Sequence, residues 1–464
     1  MTTTADTRTD SAILRQFHWT PQPQAERLVV DLLRDFLGRN PWADQLARRM
    51  RAETGTRFPD WIDHLSCPAS DNLARQLESA GFTASPAPGA ARRYVQPGGI
   101  FPAVLLSDER VTRAAIKVES VPDFLAAHNL SLPIQGSPLS PYRRSRISSA
   151  DETELWAVER HGYRGYDLPA WTDAKRVLMV HHLEAFRLRP RDFADDAEGF
   201  DVAESLLRAC VADLGRDTAC DLFFAAEREY WQRRNRAARV QKARQDRLGL
   251  GWANHDHHTY RSSRKHFARL IGLWEMLGFE LRERFYAGAE AGWGAQVCEQ
   301  PVAGFVTFND VDLSPEELLA DFSHEPLPER NYLGTVGLWC ELHGEAFLQA
   351  GMHHLECQFD FDALKQQLEG DCNVKVMNPF TNFPYLRQAF TEGERWPVRE
   401  DRIQKLLAAG LITPAQAEQF RHNGALGSHL ENLERNQGFK GFNQKGVSDI
   451  IARTDPRLHS RSPR

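Results

Sequence analysis

Residues 254–262 read NHDHHTYRS, and 265–279 read KHFARLIGLWEMLGF. ELRERFYAG (280–288), WGAQVCEQP (293–301) and GFVTFNDVDL (304–313) follow. The first stretch is a strand candidate and the second a helix with its apolar residues on one stripe. The last three are strands, closed by the turn signal Ser314-Pro315. This β-α-β-β-β order is the best-defined unit in the chain. It makes the protein an α+β chain built from small modules.

Working outward, a related unit starts at GMHHLECQF (351–359) and continues into the helix DFDALKQQLEG (360–370), ending near Ile450. It carries an inserted helical segment, DRIQKLLAAGLITPAQAEQF (401–420), with Thr413-Pro414 starting the second helix. Upstream, WIDHLSC, SDNLARQLESAGF with Ser70 as N-cap, RRYVQ and FPAVLLS read as β-α-β-β. AAIKVE, VPDFLAAHN, YRRSRIS and TELWAVERH repeat the order. Helical sequence fills the first 55 residues, after a polar, frayed start, and returns at 165–250, strongest from Cys220 to Leu248. Eight Lys or Arg fall between Arg228 and Arg247, a run that suits a solvated linker helix better than a nucleic-acid grip.

At 464 residues the chain exceeds one ordinary core, which stops growing near about 250–300 residues. Its 63 acidic against 57 basic residues give a formal charge of −6, which disfavours a nucleic-acid partner. The seven cysteines are scattered and form no C-x-x-C pair, so neither a disulfide framework nor a zinc ribbon is indicated. No run of about 18 apolar residues occurs and the N-terminus has no apolar core of a leader. The expectation is a cytoplasmic protein without a membrane partner.

The chemistry concentrates in histidines. Alternation on a strand puts His255 and His257 on one face and His258 on the other, and admits one of His353 and His354 to any one site. Two imidazoles and a carboxylate that leave adjacent positions open suit non-haem iron(II). A slip of one residue would hand the role to His258 or His353.

These landmarks occur in a known order. DHHTYR (256–261), GMHHLECQFDFDALKQQL and GSHLENLER (427–435) resemble the 2-oxoadipate dioxygenase/decarboxylase (hydroxyglutarate synthase) family of the vicinal oxygen chelate superfamily, over about residues 250–450. The resemblance implies repeated βαβββ modules that form a cupped mixed sheet. It implies an iron(II) site of His257, His354 and Glu431, with Glu434 a close rival to Glu431. Arg261 would bind a substrate carboxylate, and Arg387, in FPYLRQAF, would be a further contact. The implied reaction turns a 2-oxo acid such as 2-oxoadipate, with O2, into a 2-hydroxy acid one carbon shorter and CO2. Within the same superfamily a non-oxidative metal-dependent isomerase or lyase, or a protein that sequesters a small ligand, are the alternatives. In the first half, Asp63-His64 stands where Asp256-His257 stands, but Pro68 and Lys117 replace the arginine and the second histidine. A lysine ammonium has no lone pair for iron, so that half reads as a degenerate copy. The organisation expected is a helical segment at 1–57, a degenerate half at 58–165, a helical connector at 166–250 and a metal-binding catalytic half at 251–455.

Overall fold

The computed structural model describes residues 19–89, 92–443 and 455–457; the frayed start and the end near Ile450 lie outside them. Two helices come first, α1 (Pro23–Arg39) and α2 (Pro41–Arg49), joined at Asn40, whose side chain accepts the Ala43 N–H as a cap. A seven-stranded sheet follows, containing β1 (Ile62–Pro68), β2 (Thr83–Ala84), β3 (Arg92–Val95), β4 (Ala103–Ser107), β5 (Thr112–Lys117), β6 (Tyr142–Ala150) and β7 (Thr153–Arg160). Helix α3 (Asp71–Ser79) lies between β1 and β2, and α4 (Val121–Ala127) between β5 and β6.

Four helices lead on: α5 (Asp173–Leu188), α6 (Asp196–Leu214), α7 (Arg216–Arg233) and α8 (Arg236–Asp246). The second sheet then holds β8 (His255–Arg261), β9 (Glu280–Tyr286), β10 (Trp293–Gln300), β11 (Phe305–Asp312), β12 (His354–Gln358), β13 (Thr381–Phe383), β14 (Leu386–Phe390), β15 (Glu394–Trp396) and β16 (Ala425–Arg435). Its helices are α9 (Phe267–Met276), α10 (Thr335–His343), α11 (Phe361–Asp371), α12 (Glu400–Ala408) and α13 (Pro414–Asn423).

Both sheets obey one plan. In each module the first strand pairs parallel with the last: β1 with β4, β5 with β7, β8 with β11, and β12 with β16. Modules join through antiparallel pairing of their first strands, β1 with β5 and β8 with β12. The orders are β2-β3-β4-β1-β5-β7-β6 and β13-β14-β16-β12-β8-β11-β10-β9, so the first sheet lacks one outer strand of the second. The α+β class with repeated modules is what the strand and helix patterns predict. In α9, Phe267, Leu270, Ile271 and Trp274 form the buried stripe. Gly278, at φ 85°, then turns the chain into β9, a conformation open to glycine without a Cβ clash.

Two expectations need correction. The basic run is solvated on one face only: it breaks at Asn235, and α7 buries Phe223, Phe224 and Trp231 in the core of the second sheet. Arg228 and Arg244 are buried and Arg234 is held by the carbonyls of Gln349 and Ala350, while Arg233, Arg236, Arg239 and Arg247 stay exposed. The second concerns alternation. A bulge at Asp256 pairs His257 with Glu356 but His255 with the next residue, Cys357. His255 therefore turns to the side of His258, with ring centroids 5.2 Å apart. The first sheet has the same bulge at Asp63, where Ile62 pairs with Ile116 and His64 with Ala115.

The inserted segment forms as α12 and α13. Thr413 and Gln416 make a reciprocal capping box around Pro414. Both helices pack on α10 through Leu338, Leu342, Ile403, Leu406 and Phe420. Among the described residues, no helix is long and apolar enough to cross a membrane.

Candidate metal centre

Strands β8, β12 and β16 lie side by side with β12 in the middle. Their register sets His257, Glu356 and Glu431 on one rung and Thr259, His354 and His429 on the next. All six face the same way because side chains two apart share a face of a strand. The two parallel strands carry the same tripeptide, His-Leu-Glu, at 354–356 and 429–431, exactly opposite in register. Leu355 and Leu430 fill the core behind, while histidine and glutamate project in front.

Four side chains meet at one point. Glu356 Oε1 lies 2.7 Å from His257 Nε2 and 2.6 Å from His354 Nε2, and Glu431 Oε2 lies 3.8 Å from His354 Nε2. Gln388 donates from Nε2 to the other Glu431 oxygen at 2.9 Å. The group is closed to solvent, with His257 and Glu431 at 2% exposure and Glu356 at 1%.

His257 is oriented from behind. Its Nδ1 lies 2.9 Å from Asp256 Oδ1, and Asp256 receives two bonds from Arg435, at 2.9 and 3.1 Å. That partner assigns the proton to Nδ1 and leaves the Nε2 lone pair facing the pocket. The bulge at Asp256 brings this carboxylate back toward the ring. The first sheet repeats the relay: His64 Nδ1 lies 2.6 Å from Asp63, which Arg160 grips at 2.6 and 2.8 Å.

Burial holds His257, His354 and His429 below the ordinary histidine value, His429 down to about 3, so the rings are neutral and their lone pairs free. Burial acts oppositely on the acids. It raises Glu431 to about 7 and Glu356 well above its usual value, with the Glu431 charge adding to the second. Among the described residues, no Lys or Arg forms an ion pair with either glutamate. His354 Nδ1 and His429 Nε2 are buried without a hydrogen-bond partner. Neutral imidazoles, carboxylates lacking a cation and orphaned ring nitrogens form a donor set that fits a divalent transition metal. The sets His257-Glu356-Glu431 and His353-His354-His429 each bring three donor atoms within 4.8 Å of one another.

The centre opens into a pocket of about 70 Å³, walled by Phe285, Trp293, Phe308, Phe380, Phe390 and Phe442. Arg261 enters it one further step along the β8 face. The Arg261 Nε is 3.5 Å from Asp310 Oδ2, and its guanidinium lies 5.5 Å over the Trp339 ring. Burial lifts Asp310 to about 7, with Arg261 opposing.

The structure thus brings His257, His354, Glu431 and Arg261 to one pocket. It does not bring Arg387 there. Alternation on β14 sends Gln388 inward and Arg387 outward, where it pairs with Asp362 at 2.9 Å and stacks on Phe361 at 4.2 Å. Glu434 lies on the reverse face of β16 and accepts the Phe361 N–H at 2.8 Å. His258 and Tyr260 point back at Phe224 of α7. His353 borders the pocket with its Nδ1 donating to the Gly427 carbonyl at 2.9 Å. Sequence reasoning missed Glu356 and His429. The repeated His-Leu-Glu was the signal, since a strand places its first and third residues on one face.

No family model matches the chain, and no curated protein does. Among solved structures, it is similar to a putative glyoxalase superfamily protein from Ralstonia eutropha JMP134, with 12% identity over 59% of this chain and 99% of that one and a TM-score of 0.33. A triple mutant of 4-hydroxymandelate synthase from Streptomyces coelicolor aligns at 13% identity over 86% and 99%, with a TM-score of 0.27. Methylmalonyl-CoA epimerase from Mycobacterium tuberculosis aligns at 13% over 40% and 89%, with a TM-score of 0.23.

Proposed function

We propose that the chain is an iron(II)-dependent oxygenase that converts a 2-oxo acid and O2 into a 2-hydroxy acid one carbon shorter and CO2. The observation that supports it is the convergence of His257, His354, Glu356 and Glu431 on one buried point, with Arg261 in the same pocket. The reaction balances without a second reductant. R–CH2–CO–COOH plus O2 gives R–CH(OH)–COOH plus CO2, and the substrate supplies all four electrons. Iron bound by these side chains would supply the site for dioxygen reduction and for chelation of the 2-oxo acid.

The protein's own residues do the rest. Arg261 offers a planar, two-pronged contact to a carboxylate, strengthened by its burial. Asp310 and the Trp339 ring hold that guanidinium in place. Gln388 fixes Glu431, and the Arg435-Asp256 pair fixes His257. The six aromatic rings exclude water from the reacting centre.

The lining also bears on the substrate. Arg261 is the one Lys or Arg among the described residues that line the pocket, because Arg387 faces out. One cation and an aromatic wall suit a 2-oxo monocarboxylate with an apolar far end better than the dianion 2-oxoadipate.

Oxygen uptake by the iron(II)-loaded protein tests the reading, with phenylpyruvate, 4-methyl-2-oxopentanoate and 2-oxoadipate compared. One CO2 released per O2 consumed is the expected result, faster for the first two acids. Turnover under nitrogen would instead identify an isomerase or lyase. Absence of oxygen uptake with every 2-oxo acid tried would remove the proposal.

A further inference from the structure

A second, larger cavity of about 540 Å³ lies between the first sheet and the connector helices. Its floor is the end of the first sheet, with Lys117, Arg143, Glu159 and Arg160; its roof is α7 and α8, with Asp221, Arg228 and Lys242. His255 and Phe305 of the second sheet close one end. The register counterparts of His257, Glu356 and His354 are His64, Ala115 and Arg113, which do not line this cavity, so it is a place distinct from the metal pocket's counterpart.

The carboxylates on this wall all have cationic partners. His161 bridges Asp221 at 2.8 Å and Glu159 at 2.9 Å, and Arg143 adds a contact to Glu159 at 3.1 Å. Lys242 joins Asp246 at 2.6 Å to Glu119 at 3.2 Å, and Arg187 holds Glu229 at 2.9 Å. Arg160 is spent on Asp63. Two cations are left over. The Lys117 ammonium makes no hydrogen bond or ion pair with any described residue, and burial pulls its pKa down against the opposing charges of Asp63 and Asp221, both of which are held by other cations. Arg228 is 7% exposed, its Nε has no hydrogen-bond partner, and its nearest carboxylate, Glu119, is 3.9 Å away. Its Nη1 reaches only His258 Nε2, at 3.4 Å.

A buried guanidinium and an ammonium facing the same void, with every neighbouring carboxylate already engaged, demand negative charge from outside the chain. We propose that this cavity binds a small organic anion whose oxyanion group meets Lys117 and Arg228, with its carbon part against Leu139, Trp252 and Phe305. The shared chemistry is that of a carboxylate or a phosphate. The inference is independent of the reaction at His257.

Isothermal titration of the full-length protein with succinate and with inorganic phosphate, in low-chloride buffer, tests it. The expected result is saturable binding of one equivalent of at least one anion, weakened tenfold or more in Lys117→Met and in Arg228→Gln and retained in Lys117→Arg. Binding of succinate only assigns a carboxylate ligand; binding of phosphate only assigns a phosphate ligand. Because Lys117→Met removes a charge that lacks a partner, it should also melt no lower than the wild type in anion-free buffer, which shows that the variant folds. Equal affinity in wild type and Lys117→Met would place the anion elsewhere and overturn the proposal. No saturable binding of either anion by the wild type would overturn it too.

Discussion

Glu356 shows how much of the centre rests on single residues. Its carboxylate touches both His257 and His354, whereas Glu434, three residues beyond Glu431, lies on the opposite face. Glu356→Gln should lower iron affinity about tenfold or more, judged against the range for groups that support metal ligands, while Glu434→Gln should bind iron as the wild type does. Metal analysis after dialysis distinguishes them; equal iron in both variants would remove Glu356 from the centre. At Arg261 the expected effect is kinetic. Arg261→Ala should raise KM for the 2-oxo acid, and Arg261→Lys should not restore it, since an ammonium cannot make the two-pronged contact. Arg387→Ala should leave KM unchanged. His257, His354, Glu431 and Arg261 were legible through the family resemblance; strand periodicity alone marks only which side chains can share a face. Glu356 was overlooked although the same periodicity marks it. Arg387 and Gln388 could not be told apart, because their facing depends on how β14 pairs with β16.

Among the elements, the strands and helices of both sheets follow their patterns closely, including the short helix α4 and the inserted pair α12 and α13. The bulges at Asp63 and Asp256 were not legible, because a bulge is a property of two paired strands and leaves no periodic trace in one. Helix α10 also escaped. It is apolar nearly all round, and its start has no side-chain cap of its own. Asp312, at the end of β11, does that work from a distance, accepting the N–H groups of Gly334, Val336 and Gly337 at 2.9–3.0 Å. A Cβ at Gly334 would collide with the same carboxylate. Asp312→Ala should therefore cost about 1–3 kcal/mol of stability by leaving buried donors unpaired, and Gly334→Ala should destabilise by displacing the cap. Chemical denaturation measures both. An unchanged midpoint in either would show that α10 is capped in another way.

At the scale of the whole molecule, the four-module plan was readable and the role of the connector was not. Its many charges suggested exposure; Arg233, Arg236, Arg239 and Arg247 are exposed, while Arg228 and Arg244 are buried and Arg234 is held by backbone carbonyls. His161 is the clearest case of a charge paired inside. Burial opposes its charge, but Asp221 on α7 and Glu159 on β7, itself paired with Arg143 on β6, hold its pKa up at about 10. A histidine raised in the folded state contributes fully below its ordinary value of about 6.5 and loses that contribution as pH rises toward 10. Wild type should therefore exceed His161→Gln by about 2–4 kcal/mol at pH 6, an order-of-magnitude figure from the size of the shift, with the gap closing by pH 10. A gap that stays constant with pH would count against the bridge. The seam between modules has a consequence in time. Asp256 and Arg435 are separated by 179 residues, and the donors around His257 come from strands of two different modules. Neither module owns all of the proposed ligands His257, His354 and Glu431, so a metal held by them would be captured only after β8 and β12 have zipped together. Under the proposed function, metal loading would then be a late clock on folding: a nascent chain still short of β16 has no finished cup to fill.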